Sequence, residues 1–106
     1  MSGQLVIAEL EAFRAVLGKV KRCEGETVTL WCRSTITNAL HRVGPTGPMK
    51  SAAEAAWIAA DQLAKRLEEN DTTDGAIEQA REQAEDALAG LIAAVRLVKA
   101  AGPSEG

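Results

Sequence analysis

The sequence predicts a small all-α protein, a bundle of four helices. Apolar residues recur at helical spacing through most of the 106-residue chain, and clusters of glycine or proline separate four such stretches. The second half is also rich in alanine, the residue with the highest helix propensity. A chain of this length is expected to form one domain. We place that domain at residues 1–101, and we expect residues 102–106 to form a flexible tail.

The first helix is predicted over residues 4–23. Its apolar residues are spaced by four and three positions in alternation, as on one face of a helix. This stripe comprises Val6, Leu10, Phe13, Leu17 and Val20. Basic residues near the predicted end oppose the negative pole of the helix dipole, and Gly25 is expected to adopt the left-handed capping conformation.

The second helix is predicted over residues 27–43, where the local pattern is ambiguous. The segment from Thr27 to Cys32 alternates like a β-strand and is rich in residues that favour β structure. However, Val28, Cys32 and Ile36 also share one face of a helix. A single strand would have no partner elsewhere in the chain, so we predict a helix here.

The third and fourth helices are predicted over residues 49–69 and 74–101. Alanine occupies many contact positions on both, and such small side chains allow two helices to approach closely. The fourth helix is the longest, at about 40 Å for a rise of 1.5 Å per residue. We therefore expect helices three and four to pair as an antiparallel hairpin.

These two helices carry more apolar residues than a single bundle needs. Ile58 projects opposite the contact stripe of the third helix, and Trp57 lies at its border. After Ala87 the fourth helix is apolar nearly all round, which is typical of a helix covered by another chain. The predicted self-association surface comprises Trp57, Ile58, Leu88, Ile92 and Val95. A two-fold homodimer is expected, with the alternative that loops or the second helix cover these residues.

The sequence contains no recognisable catalytic or metal-binding motif, so we predict a non-enzymatic protein without a cofactor. His41 is the only histidine, and Cys32, nine positions earlier, is too distant to share a metal ion with it. No carboxylate stands at helical spacing from His41 to orient it as a base. Segment 70–75 begins like a calcium loop, but Arg81 takes the position of the bidentate glutamate.

Membrane insertion and export are not expected. The apolar run from Leu88 to Val95 has eight residues, whereas a membrane-spanning helix needs about 20. The N-terminal segment lacks the basic start and the cleavage pattern of a signal peptide. We expect a cytoplasmic protein in which Cys23 and Cys32 are reduced thiols and Cys32 is buried.

Charge is unevenly distributed along the chain. Residues 1–50 carry seven basic residues against four glutamates, a net +3, whereas residues 51–106 carry five against eleven acidic residues, a net −6. The basic half leaves open the alternative of a small DNA-binding regulator. The residues proposed for nucleic-acid contact are Arg33, Asn38, His41 and Arg42. The overall acidity and the lack of helix-turn-helix spacing argue against this alternative.

A lesser alternative concerns the acidic face of the fourth helix. Glu82, Glu85 and Asp86 stand at i, i+3 and i+4 before an apolar run, and this stretch is similar to the second metal-binding helix of the all-α nucleotide pyrophosphohydrolases. The resemblance implies a magnesium-dependent enzyme. It also requires a paired-glutamate motif on the preceding helix, which offers only Glu54 and Asp61 along its length. A solvated acidic face is the favoured interpretation.

The favoured hypothesis is therefore a helical protein-interaction module, a small regulatory or adaptor protein that acts as a homodimer and binds a protein partner. Burial of apolar helix faces is expected to provide the affinity, and the basic and acidic halves the orientation. The homodimer hypothesis requires that the side chains of Ile58 and Ile92 are not already covered within one chain.

Overall fold

The computed structural model shows a bundle of four helices. It describes the backbone of residues 2–44, 47–69 and 71–101, whereas the predicted tail at 102–106 lies outside the described residues. The helices are α1 (Ser2–Leu17), α2 (Gly25–Val43), α3 (Gly47–Glu68) and α4 (Asp74–Ala101). No strand occurs in the described ranges, so the prediction of an all-α fold is confirmed, including a helix at the ambiguous second segment.

Each helix packs against two neighbours, so that the four form a closed ring around one core. The adjacent pairs are α1 with α2, α2 with α3, α3 with α4, and α1 with α4, and the α3–α4 contact is the most extensive. The start of α2 lies beside the end of α3, where the Gly25 N–H donates to Glu68 over 2.8 Å. Likewise, Leu17 at the end of α1 binds Arg81 in the first half of α4, whereas Glu11, earlier in α1, pairs with Arg96 near the end of α4. These contacts show antiparallel neighbours, and the predicted pairing of helices three and four is confirmed.

The core follows the predicted apolar stripes. Bulky side chains come from all four helices, and they include Leu10, Phe13, Leu17, Ile36, Met49, Leu63, Leu67, Leu88 and Leu91. The contribution of α3 is largely alanine, with Ala53, Ala56, Ala60 and Ala64 buried. Small residues at these positions bring the backbone of α3 close to both neighbours. Along the described part of the chain, no helix is long and apolar enough to cross a bilayer.

Two arginines join the first and last helices. Arg81 of α4 donates from Nη1 to the carbonyl oxygens of Leu17 and Val20, the latter over 3.1 Å, at the end of α1. Arg14 of α1 donates from Nε to the carbonyl oxygen of Glu85 in α4 over 2.9 Å. The last carbonyls of a helix lack partners within that helix, and Arg81 satisfies one of them in α1.

The segment between α1 and α2 differs from the prediction. Helix α1 ends at Leu17 instead of Cys23, although Val20 is still buried. Cys23, and not Gly25, adopts a positive φ, at 73°. Gly25 instead opens α2 against α3, where a Cβ atom would lie only 2.3 Å from the carbonyl oxygen of Ala64. A glycine in a sequence does not reveal whether the chain needs its positive φ or its lack of a side chain.

Candidate interaction surface

Three of the five residues predicted to form a self-association surface lie in the core of the single chain. Leu88 and Val95 are fully buried, and Ile92 is only 5% exposed. Helix α1 packs against α4, and Ile92 shares a small cleft with Glu11 and Arg14 of α1. The expectation that these three residues need cover from another chain is therefore wrong, because the single chain already buries them, with α1 beside Ile92. Helical periodicity shows that a helix is apolar all round but does not show which neighbour lies on each side.

The other two predicted residues, Trp57 and Ile58, remain exposed at 37% and 54% and are called the exposed pair below. They line a groove of about 650 Å³ between α2 and α3, with Ile36, Leu40 and Ala53 as its other apolar residues. Ile36 and Ala53 are buried and form its floor, whereas Leu40 is half-buried. We call this part of the groove, which is lined by the residues just named, the apolar pocket. Its volume is within the range of ligand-binding clefts.

Sequence analysis missed the contribution of α2 to this groove. Leu40 lies next to Ala39, which is buried, and the hydrophobic pattern alone does not show that Leu40 reaches the surface beside α3. Lys50, Ser51 and Glu54 provide the polar lining of the apolar pocket. Apolar anchors with a polar rim are the usual anatomy of a protein-binding surface.

A second cavity, of about 520 Å³, lies between the same two helices further along α3, where its lining residues begin at Asp61. We call it the acidic cleft because its charged lining consists of Glu26, Asp61, Lys65, Glu68 and Glu69. Several of these groups are held in place. Glu68 accepts the hydrogen bond from the Gly25 N–H, and Asp61 lies 3.7 Å from the Lys65 ammonium group. The groove between α2 and α3 therefore has one apolar half and one acidic half.

The four residues proposed for nucleic-acid contact are all exposed on α2, namely Arg33, Asn38, His41 and Arg42. Arg33 and Arg42 are nine residues apart, or two and a half helical turns, so they project from opposite sides of α2. His41 and Arg42 belong to the last turn of α2, where basic groups oppose the helix dipole. The helix does not bring the two arginines onto one face, and DNA contact stays a prediction.

The carboxylates considered for magnesium binding are also dispersed. Glu82 and Asp86 are exposed on α4, whereas Glu54 and Asp61 line the groove on the α2 side of α3. Among the described residues, no group of three histidine, cysteine, aspartate or glutamate side chains is arranged to hold a metal ion. The structure does not bring the acidic residues of α3 and α4 together, and the pyrophosphohydrolase alternative stays untested.

The two cysteines occupy different environments. Cys23 is exposed between α1 and α2, and Cys32 is buried, as the sequence predicted. Burial, reinforced by the nearby negative charge of Asp61, raises the pKa of the Cys32 thiol from 9.0 to about 11. Because the thiolate is the reactive form, a thiol that stays protonated near neutral pH is a poor nucleophile.

Comparison of the chain with protein-family models, curated proteins and solved structures found no match. The groove between α2 and α3 and its charges are therefore the basis for a functional proposal.

Proposed function

We propose that this protein is a non-enzymatic helical interaction module whose binding surface is the groove between α2 and α3. The observation that carries the proposal is the exposed pair, a tryptophan and an isoleucine side by side at a groove with an apolar floor. Tryptophan is among the residues that contribute most to binding at protein interfaces. Leu30 and Trp31 of α2 are exposed to a similar degree, but neither lines this groove, and nor do Leu5 and Leu97.

The shape of the groove favours an α-helix as the bound element. Two packed helices leave a long furrow between them, and an amphipathic helix can lay its apolar face along such a furrow. Removing apolar surface from water contributes about 25 cal/mol per Å² buried. Both walls belong to helices already fixed by the core, so binding requires little ordering of the protein itself.

Homodimer formation stays a prediction of the sequence. Only Trp57 and Ile58 of its predicted interface have substantial exposed area, and both lie at the groove. A second copy of the chain and a different protein would therefore bind the same surface. One substitution in the groove tests both kinds of binding.

Affinity capture from the native cell tests the proposal with a matched pair of variants. Ile58→Gln removes an apolar contact in the groove without adding charge, and Leu30→Gln makes a similar change on α2 at a residue exposed to the same degree, 57% against 54%. We expect Ile58→Gln to lower recovery of a specific partner at least about tenfold, the loss typical of an anchor residue. Leu30→Gln should leave recovery unchanged.

Titration of the purified partner against both variants gives the quantitative result. Equal affinity of the wild type and Ile58→Gln would show that the groove is not the binding surface. Circular dichroism of each variant provides the control for folding, since both substituted side chains are mainly in solvent.

A further inference from the structure

We infer that the groove binds a basic amphipathic helix of another protein, an inference that rests on the proposed function. The two halves of the groove follow one another along α3, with the exposed pair in the first half and Asp61 in the second. A single helix in the groove therefore places apolar residues in the apolar pocket and its next turns along the acidic cleft. Lysine or arginine residues on those turns complement the cleft.

Carboxylates outnumber basic groups in the acidic cleft. Four carboxylates line it, and Lys65 is the one basic group among the lining residues. Asp61 already pairs with Lys65 and is half exposed, and Glu69 pairs with Arg66 over 3.6 Å, whereas Glu26 is exposed in the first turn of α2. The remaining negative charge attracts a basic segment and repels an acidic one.

The charge order of α3 disfavours a second copy of this chain as the occupant. Lys50 and Lys65 each lie seven residues from the nearer member of the exposed pair, and Glu54 and Asp61 each lie three residues from it. Within seven residues of the exposed pair, the order of charges is therefore the same in both directions along the helix. If two α3 helices met at their exposed pairs, parallel or antiparallel, lysine would face lysine and carboxylate would face carboxylate. Such like-charge contacts select against self-pairing and favour a partner of different charge.

Two synthetic peptides of about 20 residues, long enough to form a helix, test the inference. The basic peptide carries leucines on one face for the apolar pocket and lysines on the following turns, and the acidic peptide has glutamate in place of every lysine. Binding to the full chain is measured by calorimetric titration. At low salt we expect the basic peptide to bind at least about tenfold tighter, and raising the salt should reduce this difference because screening weakens exposed charge pairs.

A pair of double variants with equal net charge locates the selectivity. Glu26→Gln with Asp61→Asn neutralises two carboxylates of the acidic cleft, and we expect it to remove most of the preference for the basic peptide. Glu82→Gln with Asp86→Asn makes the same change in charge on the exposed face of α4. That control should retain the full preference. Equal losses in the two variants would indicate a general charge effect and contradict the inference.

The remaining outcomes separate this inference from the proposed function. Equal binding of the two peptides overturns the inference and leaves the interaction module intact. Binding of neither peptide also overturns it, and the proposed function then fails only if Ile58→Gln leaves partner capture unchanged. A dimer in sedimentation experiments that Ile58→Gln dissociates would identify a second copy as the occupant and contradict the choice of partner.

Discussion

At the scale of single residues, close packing restricts individual positions more than hydrophobicity alone indicates. Gly25 is the clearest case, because a Cβ atom there would lie 2.3 Å from the Ala64 carbonyl oxygen and 2.7 Å from Cγ of Glu68. The first contact is with backbone, which cannot rotate away. Gly90 of α4 provides a contrast, since a Cβ atom there would meet nothing within 4 Å.

Alanine substitutions at these two glycines are expected to have opposite effects. Gly25→Ala should lower the free energy of unfolding by about 1–3 kcal/mol through overpacking. Gly90→Ala should raise it by about 0.5–1 kcal/mol, because alanine favours a helix interior over glycine. Chemical denaturation followed by circular dichroism measures both. A stabilised Gly25→Ala variant would show that α2 and α3 are less close than described.

Sequence alone identifies Gly25 as a boundary residue but not the reason for it. The close approach of α2 to α3 depends on which helices are neighbours and how they are rotated, and neither property is written in the local pattern. The same limit applies to Ile58 and Ile92. Both were predicted to be surplus apolar residues, yet one is half exposed and the other is covered by α1.

At the scale of helices, the local pattern predicts α3 and α4 well. Their apolar residues alternate at spacings of four and three, with alanines at the contact positions, and this pattern identifies the face on which each helix packs. The end of α1 is less predictable, because its stripe continues to Val20 after the helix itself has ended at Leu17. A buried residue in a loop satisfies the same hydrophobic pattern as one more helical turn. Arg81, from a distant part of the chain, binds the carbonyl groups at this end.

Removal of the Arg81 side-chain hydrogen bonds should destabilise the end of α1. Arg81→Met leaves two carbonyl groups without their charged donor, and we expect the free energy of unfolding to fall by about 2 kcal/mol. Arg96→Met is the control, since the Arg96–Glu11 pair is 61% and 54% exposed and should contribute less than about 0.5 kcal/mol. Equal effects in urea denaturation would show that Arg81 is no more important than a surface ion pair.

At the scale of the whole molecule, the fold is a slender rod with Cα dimensions of 51 × 18 × 16 Å. The chain has few bulky apolar residues, and most of them are buried in a single core between the four helices. The sequence predicted four helices and the pairing of α3 with α4, but not the order of the helices around the ring. It did not predict which apolar residues remain exposed, because exposure depends on that order. In the structure α1 packs against α4, and the groove between α2 and α3 is open to solvent.

Two equivalent polar substitutions should therefore have different effects on the fold. Ile92→Gln places an amide in the core and should lower the free energy of unfolding by about 3 kcal/mol. Ile58→Gln should change it by less than about 0.5 kcal/mol, since that side chain is half in solvent. Thermal unfolding of both variants measures the difference. Similar melting temperatures would indicate that position 92 is less enclosed than in the structure.

The positions of the two tryptophans give the molecule an intrinsic optical probe. Both are partly exposed, but Trp31 stacks on Phe13 with ring centroids 6.1 Å apart, whereas Trp57 lines the groove between α2 and α3. Phenylalanine at position 31 would preserve an aromatic contact while leaving one indole to emit. A blue shift of the Trp57 fluorescence would then show that the groove is occupied, without any attached dye.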